Sequence, residues 1–132
     1  FRMLKEFFSK PESQTRVAEM EKAAQGSKPR MSALVCNFLA EEVYPHVLRH
    51  FSMPDDQQPL ITMIGAMVLT GSSFETTALW LETELLMRNT AQIEAAYHGH
   101  LQHCNQLGLP PPNLEEIGAR LVREVAAARK NA

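Results

Sequence analysis

Three times along this chain a short polar residue stands three positions ahead of a glutamate: Ser9 before Glu12, Ser72 before Glu75, and Asn113 before Glu116. In such a capping box the polar side chain accepts from a first-turn amide, and the glutamate reaches back to the amide of the cap. Each box therefore predicts a helix start. Behind the third box Leu114, Ile117, Leu121, Val125 and Ala128 recur at three- and four-residue steps, the period of one helix face. No segment shows a convincing strand alternation. The predicted fold class is all-α, a single-domain helical bundle of five or six helices. At 132 residues the chain is long enough for one core without staples.

The breaks fall at proline and glycine. Phe1, Leu4, Phe7 and Phe8 sit at helical spacing, and a helix over about residues 10–25 ends at Gly26. Ser32 is positioned to cap a stripe running from Leu34 through Phe38, Val43 and Val47 to Phe51. Pro45 interrupts that stripe and predicts a kink or a helix restart near Tyr44–Pro45, because proline removes one helix hydrogen bond. Ser52 to Asp56 reads as a turn, and Pro59 suits the first turn of the next helix. Residues 60–69 (LITMIGAMVL) are apolar on almost every side, so this segment is either central or covered by a partner. Gly71 closes it. A long helix then runs from Phe74, with a fresh start possible at Asn89, and Gly108 with Pro110 to Pro112 stops it.

Charge is unevenly spread. Residues 1–30 hold seven basic and four acidic residues, net +3, whereas residues 31–112 hold two basic and eight acidic, net −6. Between Ser9 and Arg30 large apolar residues are scarce, and Gly26-Ser27-Lys28-Pro29 reads as a break. The expected organisation is thus a peripheral basic helical arm or linker (1–30) followed by a helical-bundle domain (31–132). Such an arm could dock on an acidic surface, its own body included.

Candidate chemistry is sparse. Glu42, His46 and His50 follow one another at i, i+4 and i+8, and His100 and Cys104 stand at i, i+4. Carboxylate, imidazole and thiolate on facing helices could hold zinc or another transition metal, although no strong metal-ligand signature is present. GxSxG, GxGxxG and Walker A patterns are absent. Paired acids such as Glu82 and Glu84 read as a solvated face. A helix-turn-helix would use the segment from Phe74 to Met87 as its reading helix, but that segment carries Glu75, Glu82 and Glu84 and no Lys or Arg. It would repel phosphates, so the body is not expected to bind nucleic acid directly. No run of 18 apolar residues could span a bilayer. Two unpaired thiols, with no export pattern at the start, predict a cytoplasmic protein without cofactor.

What remains is an excess of apolar helix surface. Ala78, Leu81 and Leu85 suffice for one core-facing stripe, which leaves Leu79, Trp80, Leu86 and Met87 as candidate interface residues. The expected function is a non-enzymatic helical protein–protein interaction or oligomerisation module, self-associating or gripping a partner helix. The alternative is a helical bundle that binds a metal ion or small ligand through Glu42, His46, His50, His100 and Cys104.

Overall fold

A computed structural model describes residues 1–53, 59–70 and 72–130. The fold is all-α, with no strand among the described residues. The helices are α1 (Arg2–Phe8), α2 (Pro11–Ala24), α3 (Lys28–Phe38), α4 (Tyr44–His50), α5 (Pro59–Thr70), α6 (Phe74–Met87), α7 (Thr90–Gln106) and α8 (Leu114–Lys130). A π-helical turn (Leu39–Val43) joins α3 to α4, so these two run on as one interrupted rod. The expected five or six helices undercount, because α1 is a helix in its own right and α6 and α7 are separate. No helix among the described residues is long and apolar enough to cross a membrane.

The caps explain most boundaries. Asn113 Oδ1 accepts from the Glu116 amide at 3.1 Å as expected, whereas α6 is capped by Ser73, which accepts from the Thr76 amide at 3.1 Å, and not by the expected Ser72. Replacing Asn113 by Ala should cost about 1 kcal/mol, read as a lower urea midpoint at unchanged slope. Ser9 does not cap α2. Its hydroxyl donates to the Lys5 carbonyl at 2.7 Å and closes α1 instead, and Lys10 is the cap residue of α2. Helix α3 starts before the expected cap Ser32, because Ser27 accepts from the Arg30 amide and Pro29 fits the first turn. Between α2 and α3 the chain reverses through Gln25 and Gly26, both in the left-handed region.

The interruption falls where Pro45 predicts it, with α4 restarting at Tyr44 after the π turn. With no N–H at Pro45, the carbonyl of residue 41 loses its donor, and the preceding turn widens. The Tyr44 amide bonds to the Leu39 carbonyl, five residues back. The expected stop at Gly71 and the turn residues Pro54, Asp55 and Asp56 lie outside the described residues.

The expectation of a peripheral N-terminal arm is corrected by burial. Leu4, Phe8, Val17 and Ala24 are buried in the same cluster as Val35, Leu48, Leu86 and Leu121. Phe8 is fully buried, with its ring edge-on to Phe7 and to Phe38. Sparse bulk in α2 suffices because its Val17 is fully enclosed. The basic segment also meets the acidic body: Arg2 pairs with Glu75, Lys5 with Glu82 at 3.2 Å, and Arg16 with Glu42 at 2.7 Å. Arg120 of α8 joins Glu82 as well, which ties α1, α6 and α8 together. The exposed pairs Arg2–Glu75 and Arg16–Glu42 contribute little each, so packing does most to hold the segment down.

Candidate functional site

Helix α5 carries no charged residue over its length. It packs against α4 and the π turn. Met63 points inward and is buried, and Ala66 and Met67 are half-buried. On the other side Ile61 is 62% exposed and Ile64 is 51% exposed. Gly65, next to Ile64, has open space where a side chain would stand. The face carrying Ile61, Ile64 and Gly65 therefore turns away from the chain's own core.

An apolar groove of about 530 Å³ opens beside it, between α1, α4, α5 and α6. Met3, Met53, Met63, Met67, Phe51 and Leu79 supply its apolar wall. Phe51 is itself 59% exposed. The Arg2–Glu75 ion pair stands on its rim. Methionine is unbranched and polarisable, so a Met-lined wall adapts to differently shaped apolar surfaces. Leu107 and Val122 are also well exposed, but neither lines this groove.

The expected interface residues separate. Leu79 lines the groove. Trp80 is half-buried over α7, where its ring closes on Gly99 and its indole N–H donates to Glu84 Oε1 at 3.3 Å. Leu86 and Met87 are buried in the core cluster, with Leu86 at the floor of a second groove between α2, α6 and α8. The reason is position: α6 is the central helix, flanked by α1, α2, α7 and α8, so most of its apolar excess is absorbed within the chain, Phe74 and Leu79 apart. The excess on α5 is not.

The candidate metal ligands also separate. Glu42 is taken by both ends of the Arg16 guanidinium, at 3.3 and 2.7 Å. His46 and His50 are exposed on α4. His100 and Cys104 do come together, with His100 Nε2 3.8 Å from the Cys104 sulfur and its Nδ1 2.9 Å from Thr77 Oγ1. Burial, with His103 nearby, holds the His100 imidazole below its usual pKa and so favours the neutral ring. Ser72 Oγ lies 2.8 Å from His103 Nε2. Among the described residues no three His, Cys, Asp or Glu side chains converge as metal ligands would.

The solvated-face reading of Glu82 and Glu84 is also corrected. Glu82 is mostly covered and bridges Lys5 and Arg120, and Glu84 is buried. The signal was present in the sequence: Thr77, Leu81 and Glu84 fall at i, i+4 and i+7, so Glu84 shares the inward face.

The chain matches no protein-family model, no curated protein and no solved structure.

Proposed function

We propose that this chain is a non-enzymatic helical interaction module that self-associates through the outer face of α5 and the adjoining groove. The reading rests on one observation: an uncharged helix with Ile61 and Ile64 more than half exposed, beside a Met-lined apolar groove. Covering a large aliphatic side chain is worth roughly 1.5–3 kcal/mol, so two such residues and the groove wall offer a substantial driving force. Two copies of an uncharged face also meet without like-charge repulsion. Phe51 extends the surface toward the end of α4.

Light scattering tests the proposal. The wild type should show an assembled mass that rises with concentration. Ile64→Lys should return the single-chain mass at unchanged helix content, whereas Val122→Lys, on exposed α8, should leave assembly intact. A wild type that keeps its single-chain mass at every concentration would contradict self-association. Equal effects of the two substitutions would contradict the assignment to α5.

A further inference from the structure

Two buried oxygen acceptors at the corner between α6 and α7 have no hydrogen-bond donor: Glu84 Oε2 and Asn89 Oδ1. Glu84 is 8% exposed and Asn89 3% exposed. Asn89 occupies the cap position of α7, yet its side chain caps nothing. It turns inward instead, and its amide group lies against the Glu84 carboxyl. Among the described residues no ion pair to this carboxyl is seen. Lys5 of α1 and Arg120 of α8 are committed to Glu82, and Arg88 pairs with Glu21 of α2 at 2.9 Å. His100 of α7 is engaged with Thr77. The ionisable group that faces Glu84 is the buried phenol of Tyr44 on α4, with Cys36 of α3 beyond it.

A buried carboxylate whose Oε2 has no donor is costly even with the Trp80 and Asn89 side chains beside it, and so is an unpaired amide oxygen next to it. One proton relieves both. We propose that Glu84 and Asn89 form a buried proton-binding site, in which the native Glu84 is a neutral carboxylic acid donating to Asn89 Oδ1. Burial acts in the same direction, raising the Glu84 pKa from the usual carboxylate range to about 7, while hydrogen bonds from Trp80 and Asn89 lower it in part. The Tyr44 phenol is pushed up by burial and by Glu84, and stays neutral.

The consequence for stability has a definite sign. A carboxyl whose native pKa is raised binds more protons folded than unfolded. Its contribution is complete below the ordinary glutamate range and is lost as pH rises through about 7. Loss of the proton leaves an uncompensated charge where α6 passes into α7, against the seat of Tyr44.

Carboxyl-carbon NMR of the wild type, labelled at glutamate, reads the site directly. The Glu84 resonance should titrate with a midpoint near 7. Melting temperature should fall as pH rises from about 5 to about 8, and Glu84→Gln should abolish that part of the fall. Glutamine keeps the shape and still offers a donor to Asn89. A Glu84 midpoint in the ordinary carboxylate range would overturn the proposal, and so would an unchanged pH slope in Glu84→Gln. If that variant fails to fold, the wild-type titration still decides.

Discussion

Deleting residues 1–30 should leave a chain that no longer unfolds cooperatively. The deletion removes Leu4, Phe8, Val17 and Ala24 from the core cluster and strips cover from Val35, Phe38 and Leu86. Each large aliphatic or aromatic side chain contributes about 1.5–3 kcal/mol by burial, against a total stability of roughly 5–15 kcal/mol for a domain. The loss is therefore comparable with the whole. Urea unfolding followed by circular dichroism should show a broad, shallow decline in place of a sigmoid. A sharp transition in the truncated chain would mean that residues 31–132 close a core alone. Phe8→Ala is the milder form of the same test. It should cost about 3–5 kcal/mol, because Phe8 is fully enclosed and leaves a cavity.

Leu86→Lys should unfold the protein. Leu86 is buried on α6 beneath α2, where Gln14 Nε2 also donates to its carbonyl at 3.0 Å. An ammonium there has no carboxylate partner within the core cluster, and an unpaired buried charge costs several kcal/mol. The contrast with Ile64→Lys is the informative part. Both exchange an apolar residue for lysine on an apolar helix, but only the first places the charge inside the fold. Far-UV circular dichroism separates them: helix signal collapses in Leu86→Lys and persists in Ile64→Lys. Retained helix in Leu86→Lys would place Leu86 on a surface.

Local features of the chain were legible, and tertiary ones only partly so. Asn113 caps as its spacing implies, since a cap depends on residues within one turn, whereas α6 is capped by Ser73, one residue past the expected Ser72. Ser9 and Ser32 show the limit. Each has a good local neighbourhood, but a proline in the first turn of α2 and of α3 fixes the start elsewhere. Burial is a property of the assembled fold and is harder to foresee. The segment of α2 is poor in bulk, yet Val17 is fully enclosed because α1, α3, α6 and α8 all lean on that helix or its neighbours. The apolar excess was visible on both α5 and α6. Which of them the chain itself covers depends on packing order, and the centre of the fold goes to α6. The histidine spacings carried no comparable information. The i, i+4 pair His100 and Cys104 meets, whereas the Glu42 carboxylate is taken by Arg16. Glu84 was misplaced because its neighbour in sequence, Glu82, lies on a charged edge.

The central claim is that α6 has spent most of its apolar surface inside the chain while α5 has not. Amide hydrogen exchange of the wild type, measured at low and high protein concentration, tests it most directly. The amides of α5 should gain protection as concentration rises, while those of α6, already enclosed, should exchange equally slowly at both. Concentration-independent exchange in α5, or protection that grows on α6 instead, would contradict the claim.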